Sequence, residues 1–197
     1  MYFHYHTNEK HIDTKLETNR CQQIKQDNNQ CKNTITIGQK LCHIHRLIKL
    51  HLKVKPSLIR NAGMGLFAWD PSKEPNEIIF RKGDKICNYN GEILTEDQLN
   101  ERYGETTAPY AIELHKKKYS DGAIVRGIGT LLNNSTKSIA NVRFSINKAN
   151  TDVIIVAAKI IRNKKELYVN YGKNYILNEK DVITYTGANK KDYTHLY

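Results

Sequence analysis

A mostly β protein made of many short strands, preceded by a small metal-binding module, is what this sequence predicts. Three observations carry that prediction. Between Pro56 and Leu177, short β-branched runs alternate with turn dipeptides. Ahead of them, Cys21, Cys31, Cys42 and His45 fall in a C-x9-C-x10-C-x2-H spacing. The residues around those four are polar and too poor in apolar side chains to pack a core of their own.

Three segments follow along the chain: residues 1–53, a Cys3His module with a polar leader; residues 54–177, the β-rich domain; and residues 178–197, a polar tail. In the middle segment the runs EIIF, KICNY, YAIEL, AIV, VRF and DVIIVAAKII read as strands. Gly83-Asp84, Asn90-Gly91 and Asp121-Gly122 read as turns between them. The last run could also be a buried helix. Its β-branched content and the turn-like Arg-Asn-Lys-Lys after it favour a strand. One helix is predicted over Thr95–Tyr103, where a Thr N-cap is followed three places on by Gln98.

The chain has 197 residues, room for one ordinary domain and a small appendage. No apolar run approaches the roughly 20 residues of a membrane span, and the N-terminus lacks the basic-then-apolar order of a secretory signal. An intracellular site and reduced or metal-bound cysteines are therefore expected. Lys and Arg outnumber Asp and Glu by 31 to 20, a net charge of +11. That balance favours acidic partners, nucleic acid included, although the charge is spread along the chain with no block of five like charges.

Three thiolates and one imidazole complete a tetrahedral zinc shell. Cys42 and His45 stand close enough for one turn to offer two ligands, and His43 is the alternative to His45. Four protein ligands leave no open position, so such a site is structural. Cys87 reads as a core residue.

Several short motifs follow in order: Asn61-Ala-Gly-Met-Gly-Leu-Phe-Ala68; Tyr89-Asn-Gly-Glu-Ile93; Tyr110 ahead of a strand; Asp121-Gly122; Asn133-Asn-Ser-Thr136 closed by Asn141; and Glu166-Leu-Tyr-Val-Asn-Tyr-Gly172. In that order, over residues 56 to about 177, they resemble the SET domain, the lysine methyltransferase fold that uses S-adenosylmethionine. The resemblance implies a β-clip of short sheets in which the Asn-rich segment and the final Tyr-Gly segment thread through one another. It implies cofactor contacts from Ala62, Gly63, Met64, Tyr110, Asn133, Asn134 and Tyr171. Tyr171 is implied as the catalytic residue, with Tyr89 and Tyr110 lining a lysine channel. The sequence departs from the family pattern at Asn134, where a His is usual, and at Asn170, where an Asp is usual. Val169 stands where the family often has Phe or Tyr, which implies room for di- or trimethylation. The N-terminal segment resembles small Cys3His modules of large DNA viruses, which together with composition points to such a source and to the host nucleus or a viral factory.

The expected activity is S-adenosylmethionine-dependent methylation of lysines on histones or other basic proteins. Acidic patches around Glu92, Glu96, Glu101 and Glu105 are the expected contact for a basic substrate. The tail aromatics Tyr185, Tyr193 and Tyr197 are expected to close the channel in place of a cysteine-rich segment. Two other classes fit the same residues: a zinc-containing protein whose SET-like part does not catalyse, and a nucleic-acid-binding module.

Overall fold

The structure is a computed structural model that describes residues 2–6, 11–60, 62–104, 108–147, 152–172, 175 and 182–186. The chain begins with strands β1 (Tyr2–His6), β2 (His11–Lys15), β3 (Thr18–Arg20) and β4 (Thr34–Thr36), followed by helix α1 (His43–Leu50). Next come β5 (Leu52–Pro56), β6 (Met64–Ala68), β7 (Ile78–Phe80), β8 (Lys85–Asn88) and β9 (Glu92–Thr95). Helix α2 (Glu96–Tyr103), β10 (Ala111–Glu113), β11 (Lys118–Asp121) and a 3-10 turn (Ile128–Leu131) follow. The last strands are β12 (Asn133–Asn134), β13 (Val142–Asn147), β14 (Asp152–Ala157), β15 (Ile161–Arg162), β16 (Tyr168–Val169) and β17 (Val182–Thr186). Among the described residues the strands form seven small sheets of two or three strands, as many short runs with turns between them require.

The alternation in β5 sends Leu52 and Val54 inward and leaves Lys53 outward. Leu66 and Ala68 of β6, Ile86 of β8, Ile155 of β14, and Leu167 and Val169 join them in one core. Cys87 is buried there as an unpaired thiol, as its surroundings in the sequence suggest, and burial pushes it up to about 12. The helix predicted over Thr95–Tyr103 is α2. Thr95 accepts from the Gln98 amide and Gln98 reaches back to the Thr95 N–H. DVIIVAAKII is strand, broken between β14 and β15.

Some expectations change. Ala123–Val125, read as a strand, runs through bends. Ala123 N–H donates to Asp121 Oδ1 in place of a ladder partner, and the neighbouring Gly122 N–H donates to the Tyr110 carbonyl. Asp121 ends β11, just before the predicted turn, and Asn133-Asn134 is itself β12. The boundary drawn at residues 53–54 falls inside β5. The polar leader contributes β1 and β2, and β1 is the middle strand of a sheet with β2 on one side and β17 of the tail on the other.

The N-terminal module is docked tightly on the β-rich domain. Arg126 N–H donates to the Ile37 carbonyl at 2.8 Å, and the Asn90 amide donates to the Gly38 carbonyl at 3.1 Å. Gly38 has a φ of +95°, and a Cβ there would lie 2.6 Å from Arg126 N. Gly38→Ala is therefore expected to cost about 2–3 kcal/mol, from a strained φ and a backbone clash that cannot relax locally. A urea midpoint lowered by that free energy divided by the m-value, about 1–2 M, would bear this out.

Candidate active site and metal centre

The Asn-rich and Tyr-Gly segments do meet. β12 and β16 pair in parallel, Asn133 opposite Tyr168 and Asn134 opposite Val169. Residues 168–170 are then held from both ends of the 133–141 loop. Ser135 N–H donates to the Val169 carbonyl, Asn141 N–H donates to the Tyr168 carbonyl, and the Asn170 amide donates to the Ser135 carbonyl. The Asn141 side chain bonds both the Glu166 carbonyl and the Tyr168 N–H. Such irregular, part-buried backbone needs partners that a regular ladder does not supply, and the amides provide them.

Glu166 is the hub beneath this arrangement and had no assigned role in the sequence reading. It is buried, and its carboxylate accepts from Ser57 Oγ, Leu58 N–H, Asn133 Nδ2 and Tyr168 Oη at 2.7 to 3.1 Å. Asn133 also donates to the Met64 carbonyl at 3.1 Å, which joins the G-x-G turn to β12. At Gly65 a Cβ would sit 2.1 Å from Glu166 Oε1, so the second glycine of the motif serves packing on this carboxylate. Gly63, with φ +69° and no heavy atom within 4 Å of its missing Cβ, faces open space instead. Glu166→Gln is expected to lower stability by about 2–3 kcal/mol, because it places an N–H₂ among groups that already donate. Thermal melting would show this.

The sequence-predicted tyrosines converge. A cavity of about 50 Å³ is walled by Tyr89, Tyr110, Tyr171, Tyr175, Leu132 and Phe144, among others. Tyr171 N–H donates to Asn134 Oδ1 at 3.0 Å, and its hydroxyl donates to the Leu132 carbonyl. Tyr89 donates to the Tyr110 carbonyl at 2.7 Å and meets Phe144 edge-on at 5.9 Å. The Arg126 guanidinium lies 4.3 Å from the centroid of the Tyr110 ring. Burial pushes the Tyr171 hydroxyl well above its ordinary range, with Tyr175 and Tyr110 adding to the shift, and burial does the same to Tyr89. Both remain phenols at neutral pH and act as hydrogen-bond donors, not as bases.

The expected cofactor positions divide. Ala62, Gly63 and Met64 lie at the partly exposed entry to β6. The Asn133 and Asn134 side chains are engaged within the protein, so any outward contact from that segment falls to other atoms. Val169 is buried in the core and is not part of the cavity wall, where Phe144 stands. Phe144, Leu132 and Tyr175 escaped the sequence reading. Tyr175, four places after Tyr171, packs on its ring at 4.6 Å and closes one side of the cavity. Of the expected lid, Tyr193 and Tyr197 lie outside the described residues, and Tyr185 lies in β17 opposite Phe3 of β1. Of the expected acidic patch, Glu105 lies outside the described residues. Glu92 is bonded to Arg102, and Glu96 to Lys117.

The four predicted metal ligands come together. Cys21 follows β3, Cys31 follows a bridge between Ile24 and Gln30, and Cys42 caps α1 with His45 in its first turn. Their ligand atoms all lie within 4.8 Å of one another, with His45 Nδ1 3.3 Å from Cys42 Sγ and 3.5 Å from Cys21 Sγ. Bonds of ~2.3 Å to sulfur and ~2.0 Å to nitrogen in a tetrahedron set ligand atoms roughly 3.5–3.8 Å apart, so the donor set fits a four-coordinate metal. Burial works against the Cys42 thiolate. The His45 N–H and the Asn33 amide outweigh it and bring Cys42 down to about 6, while burial pushes Cys21 up. The buried Arg46 guanidinium, one turn on from Cys42, interacts favourably with the Cys42 sulfur when that is charged.

The sequence pattern of the SET domain matches residues 63–172, more than half of the chain, and the protein belongs to the SET-domain family. The fold is similar to that of chains in solved polycomb repressive complex 2 structures. An active polycomb repressive complex 2 in the basal state aligns over 62% of this chain at 24% identity, with a TM-score of 0.51. A ctPRC2 complex with H3K27me3 and H3K27M aligns over 70% at 23% identity, with a TM-score of 0.53. The Chaetomium thermophilum complex aligns over 63% at 24% identity, with a TM-score of 0.50. This chain spans only 15–16% of the length of those chains. No curated protein matches it. No helix among the described residues is long and apolar enough to cross a membrane.

Proposed function

We infer that the protein is a lysine methyltransferase that uses S-adenosylmethionine, with a structural zinc in its N-terminal module. The observation that carries this reading is the aromatic cavity in which Tyr89, Tyr110 and Tyr171 meet beside the β12–β16 pairing. Aromatic walls suit an alkyl chain ending in an amine, by apolar contact along the stem and by ring faces toward a cation. When bound, S-adenosylmethionine supplies an electrophilic methyl group. Gly63, Met64 and the backbone of Asn134 are the residues that would hold it, and the open space at Gly63 fits a group approaching the main chain closely.

A lysine amine reacts only when neutral, and its ordinary pKa is about 10.4. Desolvation between the tyrosine rings favours the neutral form. No separate strong base is then required, in keeping with phenols held protonated by burial. Tyr171 lies where its hydroxyl and the Leu132 carbonyl can orient the amine. That one of the related solved assemblies holds H3K27me3 supports a protein substrate, with histones first in any panel.

Calorimetry with S-adenosylmethionine, followed by incubation with labelled methyl donor and a panel of histones and other basic proteins, tests the reading. Saturable cofactor binding with label transferred to lysine is the expected result. A correctly folded chain that binds no cofactor would overturn it.

A further inference from the structure

On the face of the β5–β6 hairpin that carries Lys53, Lys55 and the buried Phe67, the lysine ends and Trp69 have no part in the site above. Strand alternation turns Lys53 and Lys55 of β5 to the same side as Phe67 and the following Trp69. Lys53 Nζ lies 4.5 Å and Lys55 Nζ 4.6 Å from the centroid of the Trp69 indole, and Lys164 Nζ lies 5.8 Å from it. Lys164 reaches the ring because its φ of +63° turns the chain there and its N–H is tied to the Ala68 carbonyl at 2.9 Å. The three ammonium groups are thus held within roughly 10 Å of one another by a single ring. Among the described residues none of them forms an ion pair with a carboxylate.

Three like charges gathered on one indole and left without counter-charge, in a chain of net charge +11, form a cluster complementary to a polyanion. The ring is covered by lysine ends and is not free to stack a base, which a single-strand platform would require. We propose that this face binds duplex nucleic acid through its phosphate backbone, without reading sequence. It is independent of methyl transfer, so the proposal stands or falls separately from the enzymatic reading.

Trp69 is the only tryptophan in the chain, so its emission reports this face directly. The full chain is titrated with a mixed-sequence duplex over a salt series, following both indole fluorescence and duplex anisotropy. A triple variant Lys53→Glu/Lys55→Glu/Lys164→Glu is compared with a control of equal charge change, Lys82→Glu/Lys116→Glu/Lys118→Glu. Log affinity is expected to fall with log salt by about 0.9 per phosphate contact, with that slope reduced by about 2 to 3 in the triple variant. At the lowest salt the triple variant is expected to lose at least tenfold in affinity, and the control much less. The indole signal is expected to change with duplex in the wild type. A Lys→Gln triple at the same positions serves if the Glu variant does not melt cooperatively.

Equal losses in the triple variant and the control would overturn the proposal, as would an unchanged slope. Tighter binding of a single strand of the same length would overturn the duplex assignment. Displacement of the duplex by polyglutamate at matched charge would assign the face to acidic protein instead.

Discussion

Tyr171→Phe is expected to lower methyl transfer by roughly 10²–10³ while leaving cofactor affinity nearly unchanged. The factor is the one expected for removing a single preorganised hydrogen-bond donor from an active site. The fold should survive. The substitution keeps the ring, its 4.6 Å contact with Tyr175 and the N–H bond to Asn134, and it costs about 1 kcal/mol for the lost bond to Leu132. The two consequences separate in one set of measurements: single-turnover transfer of labelled methyl, and thermal melting. The pH dependence carries further information. Burial raises Tyr171, so its phenol stays protonated through neutral pH and contributes no ionisation there. Any rise in rate with pH is then the deprotonation of the substrate lysine, and it should persist in the Phe variant at its lower level. A Phe variant as active as wild type would remove Tyr171 from the chemistry.

The second large effect concerns metal. Chelation, or Cys42→Ser, is expected to unfold the segment from β3 through α1 and to lower the melting temperature of the remainder. Apparent binding free energies of structural zinc in finger peptides, about 10–16 kcal/mol, rival the whole stability of an ordinary domain. The module has only a small core of its own: its apolar cluster consists of the three ligand cysteines, Ile35 and Leu41. Loss would spread, because Ile37 and Gly38 bond to Arg126 and Asn90, and Arg126 stacks on Tyr110 in the cavity wall. Metal content by mass spectrometry, together with calorimetric melting before and after chelation, measures it. A melting curve unchanged after verified metal removal would show that the cluster is held without an ion.

Much of this could be read from residues alone. The Cys-x9-Cys-x10-Cys-x2-His spacing named all four atoms that cluster, because a metal leaves ligand types in a polar segment that packing does not explain. The Thr95–Gln98 capping box named α2, and the ordered motifs brought Tyr89, Tyr110 and Tyr171 into one cavity. What escaped depends on distant pairing. The polar strands β1 and β17 bond through main-chain groups, which leave no hydrophobic period. Ala123–Val125 is β-branched enough to suggest a strand, yet its neighbours offer side-chain and backbone partners that replace a ladder. Glu166 is a lone acid in a motif, and only its four donors, scattered from Ser57 to Tyr168, give it a role.

The sheet that sets β1 between β2 and β17 also bears on how the chain is made. At translation rates of ~5–20 residues per second, β1 waits roughly 10–35 seconds for its second neighbour to be synthesised. Glu166 likewise meets Ser57 only after more than a hundred further residues have been added. The nascent protein therefore carries an open edge on β1 until β17 has been made, and the Ser57 side of the β12–β16 region stays without its carboxylate partner until Glu166 has been added.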